Sequence, residues 1–323
     1  GFILREAYVA KAIAMADALV ALTHFKGHPM GVIGGSIKNL GIGAQSKRGK
    51  FNVHMGGHPR YGMNASPIFA ELCQGEDCPA YQLCQNICPY GAIQFTEVDG
   101  HQRIDFQRDR CTGCMACTFV LAACGVMGFP DDAYEAQDAA MADAALGVVK
   151  AVGREKVGFI NLAMDVAPWC DCVGWSDRPV VPNVGVLASR DPVALDRATL
   201  DKAEESMGML GSAAEEHGVL APHTHGRFSA AASMLGVSEN IQMNAGARNG
   251  LGTLDYELVE VPPDPDPSKY LFEWDKRPVG VRFASWVKKD PVYPAGGFKR
   301  LEEVDFSEVR GDDVRAYGQA PAH

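Results

Sequence analysis

CQGEDCPAYQLCQNICPYGAI (residues 73–93) and CTGCMACTFVLAACG (residues 111–125) together hold eight of the ten cysteines of the 323-residue chain. Thiolates gathered this densely, with Pro89 directly after Cys88, are the ligand supply of iron–sulfur clusters. A four-iron cluster needs four sulfurs turned inward on one cage. Eight ligands therefore predict two [4Fe-4S] clusters, and with them a protein that moves electrons. The run Cys111-Thr-Gly-Cys114-Met-Ala-Cys117 wraps three ligands around one corner, and Gly113 leaves room for backbone amides to approach sulfur. The first group is looser, with gaps of four, five and three residues. Two structural zinc sites are the rival use of eight cysteines, but zinc has no need of a C-x₂-C-x₂-C run or a Cys-Pro ending.

Outward from the cysteines the pattern changes. AIQFTEV and HQRIDF flank Asp99-Gly100, a hairpin signal inside the cysteine region. On the N-terminal side, EAYVAKAIAMAD (6–17) reads as a helix and ALVALTHF (18–25) as a buried parallel strand. Beyond Pro130 come an alanine-rich helix (131–151) and the strands VGFINLAMDV (157–166) and VGVLAS (184–189). Asp191-Pro192 then starts a helix to about residue 206, with aspartate at the cap and proline in its first turn. LDYELVEV (254–261) reads as a last strand, and VPPDPDP (261–267) as a stiff linker. The fold class expected is a layered α/β core (1–67 and 131–262) with an α+β insertion (68–130) and a C-terminal extension (263–323) bearing Trp274 and Trp286.

Composition narrows the function. A formal charge of −10 argues against generic nucleic-acid binding. No apolar run reaches the ~20 residues of a membrane span, and clustered cysteines in a chain this long favour metal ligation in a reducing cytoplasm over disulfides. The sequence opens on Gly1, as a processed or truncated chain would. No G-x-G-x-x-G lies on a strand–helix turn, so dinucleotide binding by that device is not expected.

Residues 18–70 contain no Asp or Glu, yet hold Lys26, Lys38, Lys47, Arg48, Lys50 and Arg60, four histidines and ten glycines. Such segregation reads either as a face for a carboxylate, a phosphate or an acidic redox partner, or as counter-charge for the clusters. A helix beginning at Ser36 would add positive potential at its N-terminus. His24-x₃-His28 and His54-x₃-His58 carry a metal-like spacing, which Pro29 sets against helical geometry. Cys170-Asp171-Cys172 follows a strand end, where ligands often sit in α/β sheets. It reads as a further metal site, a redox thiol pair, a substrate thiolate, or two small buried residues. Asp165 and Asp177 read as loop caps, and Asp196 and Asp201 as one solvated helix face.

LTHFKGHPMGVIGGSIKNLGIG (22–43), SKRGKF (46–51), CDCVGWSDRPVVPNVGVLASRDPVALDRATLD (170–201) and GLGTLDYELVEV (250–261) resemble the domain-of-unknown-function 362 family. Its members are iron–sulfur-centre proteins, many built around a ferredoxin-like insert, and usually have a further α/β segment before the point where this sequence begins. The insertion resembles bacterial two-[4Fe-4S] ferredoxins, in which the fourth cysteine of each run serves the other cluster. That resemblance implies one cluster on Cys73, Cys78, Cys84 and Cys124, and the other on Cys111, Cys114, Cys117 and Cys88. Cys124 departs from the pattern, separated from Cys117 by six residues instead of three and followed by glycine. The expected function is electron transfer to a redox partner protein. A reductase is the alternative, acting on an anionic small molecule near Lys26, Lys38 and Asn39, with Cys170, Cys172, His24 and Lys38 as candidate catalytic residues. A relay subunit of a larger anaerobic complex, with residues 268–323 wrapping its partner, is the third.

Overall fold

The computed structural model describes residues 1–56, 68–111, 116–128, 132–171, 177–234 and 236–262, which form a mixed arrangement of helices and sheets consistent with an α/β fold. Strand β1 (Leu19–His24) enters a three-stranded sheet. A short hairpin of β2 (Lys26–His28) and β3 (Val32–Gly34) follows, then the hairpin of β4 (Ile93–Val98) and β5 (His101–Phe106), and finally β6 (Val157–Ala163) and β7 (Gly185–Ser189). The order in the main sheet is β1-β6-β7, with β1 parallel to β6 and β7 antiparallel to it. Val157, Phe159, Asn161 and Ala163 of β6 are buried in alternation, so one face of the sheet carries the core. The apolar run of β1 predicted burial on both faces. Instead Val20 and Leu22 are 66% and 60% exposed, because the helices packed on the sheet lie against its other side.

The long helix Ala133–Val152 supplies that core with Met141, Ala142, Ala144 and Ala145. Small side chains let neighbouring backbone come close. A methyl group on Gly41 would lie 2.5 Å from the carbonyl oxygen of Met141, so the turn Asn39–Gly43 rests directly on this helix.

Two sequence expectations fail, the first because tertiary pairing claims its backbone and the second because no strand among the described residues pairs with it. The helix expected over 6–17 shrinks to Lys11–Ala14. Ahead of it, Ser46 and Ala10 donate to the carbonyls of Tyr8 and Ala44, and Val9 bridges Gln45. Residues 254–261 form no strand. They run exposed along the helix Pro192–Glu205, tied by Thr253 N–H to Asp191 (2.9 Å) and by the Tyr256 hydroxyl to Asp201 (2.8 Å). Asp191 does cap that helix, accepting from Val193 and Ala194 with Pro192 in the first turn. The extension 263–323, with Trp274 and Trp286, lies outside the described residues.

Asp196 overturns the reading of a solvated face. It is 0% exposed, and its carboxylate accepts from Ser36 N (2.7 Å), Ile37 N (2.8 Å) and Asn161 Nδ2 (2.8 Å). Burial pushes it up to about 6 against these three bonds. The helix start at Ser36 therefore exists, but its amides are already taken and offer nothing to an anion. Asp201 instead pairs with Arg197.

A second carboxylate hub joins Glu204 and Glu239. Gly226 N–H donates to both (3.0 and 2.7 Å), Ser229 N–H donates to Glu239, and His225 and Arg197 face Glu204. Burial, then the neighbouring Glu204, push Glu239 up to about 8. Arg227, fully buried nearby, spends its guanidinium on the carbonyls of Val219, Ala203 and Ala221.

The cysteine region folds around its own buried cluster of Cys73, Cys84, Ile93, Ile104, Leu121, Val126 and Met127, separate from the larger core. Asp99 and Gly100 both take positive φ (53° and 78°), the two-residue turn expected between β4 and β5. No helix among the described residues is long and apolar enough to cross a membrane.

Replacing Asp196 by Ala orphans two helix amides and one side-chain amide. It should cost on the order of 3 kcal/mol, read as a lowered urea midpoint. A carboxyl held above its unfolded value makes the folded state bind more protons than the unfolded one. Stability should therefore fall as pH rises from about 4.5 towards about 8, and Glu239→Gln should flatten that part of the profile in denaturation curves.

Candidate functional site

Four cysteines from four short elements of the chain line one cavity of about 130 Å³: Cys73, Cys78, Cys84 and Cys124. Cys73 closes the turn Ala70–Leu72 and Cys78 closes the turn Gly75–Asp77. Cys84 sits in the helix Tyr81–Ile87, and Cys124 ends the helix Thr118–Ala123. Phe95, Ile104 and Leu121 supply apolar walls. Burial pushes the Cys84 thiol up, and Cys124, Cys78 and Cys73 add to the shift. Gly75 (φ 58°) makes the tight approach possible, since a methyl group there would fall 2.2 Å from the Gln102 carbonyl oxygen. Arg103 donates to the carbonyls of Glu71 and Cys73 and pins this loop to β5.

Of the second group, Cys88, Cys111 and Cys117 are described and Cys114 is not. Cys88 and Cys117 pack at the margin of the same buried cluster. Cys88 Sγ accepts the backbone N–H of Ala92 at 3.2 Å. Among the described residues, no three His, Cys, Asp or Glu side chains are gathered tightly enough to hold a single metal ion.

A different set meets at the carboxyl end of β1. His24 Nδ1 lies 3.2 Å from Asp171, and its Nε2 faces the carbonyls of Met164 (2.8 Å) and Asp165 (3.2 Å). Lys26 Nζ lies 2.8 Å from the same Asp171 oxygen and donates to the His24 carbonyl. Although burial raises it, Asp171 is held below the usual carboxylate range by Lys26 and His24. Lys38 is half-buried and brought down to about 8 by burial and by Lys26. Cys170 is buried and disulfide-bonded, and Cys172 lies outside the described residues.

His24 and His28 do not converge as a metal pair. His28 Nδ1 accepts from the N–H groups of Met30 and Gly31. Burial, then Lys38, His54 and Lys26, hold it down to about 3. His54 bonds the Lys50 carbonyl, and His58 and Arg60 lie outside the described residues. Asn39 serves the backbone, donating to Leu22 O and Thr23 Oγ1, and Arg48 stacks on Tyr8. Asp177 caps its loop through Arg178 N–H. Sequence reasoning named Asp171 only as a spacer between cysteines. Its acidity opposite an acid-free segment was the available signal.

The sequence profile of the family described as Domain of unknown function (DUF362) matches residues 1–201, and the chain belongs to that family. No curated protein and no solved structure matches the chain.

Gly75 and Gly100 give a paired test of the cavity wall, because both have positive φ but only Gly75 is crowded. Alanine at Gly100 should cost about 1 kcal/mol. Alanine at Gly75 should cost clearly more in the same denaturation experiment.

Proposed function

We propose that the chain is an intracellular electron-transfer protein in which residues 68–130 form a ferredoxin-like unit holding two [4Fe-4S] clusters. The observation that carries this reading is the shared cavity of Cys73, Cys78, Cys84 and Cys124. This is the set that pairs three cysteines of the first run with the last of the second. Cys124 was the doubtful member by spacing, yet the helix Thr118–Ala123 delivers it to the others.

The donor chemistry fits an iron–sulfur cage better than zinc. A zinc ion with ~2.3 Å bonds needs four sulfurs only about 3.8 Å apart, whereas a cage keeps its ligands farther apart. A cavity lined by four thiols is a donor set that either group accepts, and the C-x₂-C-x₂-C run and the Cys-Pro ending favour the cage. Cys88, Cys111, Cys114 and Cys117 would hold the second cluster, with the Ala92 amide steadying Cys88. The clusters would supply one-electron chemistry. The chain's own part is to exclude water with Phe95, Ile104 and Leu121, to direct amides at sulfur, and to present the site to a redox partner protein.

The meeting of His24, Lys26, Asp171 and Lys38 favours a second reading, a reductase acting on an anionic small molecule held near these residues and the Cys170–Cys172 loop.

Anaerobically prepared protein should contain about eight irons per chain with matching acid-labile sulfide. Cys84→Ser and Cys124→Ser should each remove the same cluster's EPR signal and about half the iron. Colourless, zinc-loaded protein overturns the proposal. Two serine variants that remove different signals overturn the crossed assignment.

A further inference from the structure

Asp171 is the exposed member of a group whose other members are built into the fold. Its side chain is 64% exposed, against 13% for Lys26 and 32% for His24. Both partners reach one and the same oxygen, Oδ2, Lys26 Nζ at 2.8 Å and His24 Nδ1 at 3.2 Å. Both are also anchored from behind. The Lys26 ammonium donates to the His24 carbonyl at 2.9 Å. The His24 ring faces the carbonyls of Met164 and Asp165 with Nε2, which keeps a hydrogen there and turns Nδ1 outward. The loop behind Asp171 is pinned as well, since Gly27 N–H bonds Ala167 O at 2.8 Å and Cys170 is buried. The Asp171 side chain has no such anchor and can turn out into water while the backbone stays in place.

Charge does not balance within this group. Lys38 runs alongside Lys26, because a methyl group on Gly34 would lie 3.7 Å from Lys26 Cε and 3.7 Å from Lys38 Cδ. Lys38 itself makes no hydrogen bond or ion pair among the described residues. Asp138, on the long helix Ala133–Val152, lies against Gln242 and is 1% exposed. Burial, then Glu135, push it well above the usual carboxylate range, so it brings little negative charge. Two lysine side chains therefore share one surface carboxylate, an arrangement that an incoming anion completes.

We infer that Lys26, His24 and Lys38 form a binding site for a small dicarboxylate, and that Asp171 is its built-in competitor. One carboxylate of the ligand replaces the Asp171 side chain on Lys26 Nζ and His24 Nδ1, and the other meets Lys38. The Asp171 carboxylate is the template for the first of these contacts, so the space it vacates has the right shape and opens to water. The exchange costs little, because an ion pair this exposed contributes little to stability. A carboxylate tethered in this way competes at an effective concentration on the order of millimolar, which sets the ligand level at which the site fills. The inference names the substrate class and the regulation of the site in the reductase reading, and rests on that reading in this respect.

Isothermal titration of the iron-loaded protein with succinate, acetate and inorganic phosphate tests it. Asp171→Asn removes the competing charge at constant size and should bind one succinate per chain roughly tenfold more tightly than the unaltered protein. Adding Lys26→Gln to that variant should abolish the gain. Adding Lys38→Met should bring succinate down to the affinity of acetate. Circular dichroism of each variant separates lost binding from lost folding. A merely structural ion pair predicts the opposite result, so succinate binding that is unchanged, weaker or absent in folded Asp171→Asn overturns the inference. Phosphate that binds Asp171→Asn more tightly than succinate overturns the dicarboxylate class. Succinate bound as expected, while no unsaturated or keto dicarboxylate reoxidises the reduced clusters, leaves the site standing and removes the reductase reading. Reoxidation by such a compound without any gain of affinity in Asp171→Asn removes the site and leaves that reading.

Discussion

A single carboxylate organises the α/β part of this chain. Asp196 reaches out of the helix Pro192–Glu205, takes two amides at the start of the helix Ser36–Lys38, and holds the side-chain amide of Asn161 from the middle strand. Three elements far apart in sequence are thereby fixed in one place. Because Ser36 and Ile37 are clamped, Lys38 and Asn39 follow at a set position beside the end of β1, where His24, Lys26 and Asp171 meet. A charge in so dry a place is costly, and the burial that raises Asp196 is that cost made visible. The three bonds offset it and return orientation.

The cysteine cavity rests on the opposite principle. Four sulfurs are drawn together although burial, and then the other three, make the Cys84 thiol harder to ionise. Crowding of that kind has no structural purpose by itself, since apolar residues would pack as well. In the proposed reading it becomes favourable because a cluster would accept the sulfurs as ligands.

Local chemistry was legible from sequence. The Asp99-Gly100 turn and the Asp191-Pro192 helix start each depend on a few neighbouring residues, and so their readings follow from residue type. What depended on distant partners was not. The alanine-rich segment 6–17 reads as a helix until the pairing of Tyr8 and Ala10 with residues 44–46 claims its backbone. LDYELVEV has the alternation of a strand but no strand beside it among the described residues. Asp196 looks like its solvated neighbours on a helix, and only the fold reveals that it faces Ser36. Asp138, lost in a run of alanines, carries no signal at all until Gly31 and Gln242 are brought against it.

The bridge between Ile68 and Met127, reinforced by Phe69 N–H to the carbonyl of Val126, sets the two ends of the cysteine-bearing segment side by side. A segment that leaves where it arrives imposes no strain on its host. The two ends of residues 68–127 therefore need no further span of chain to meet.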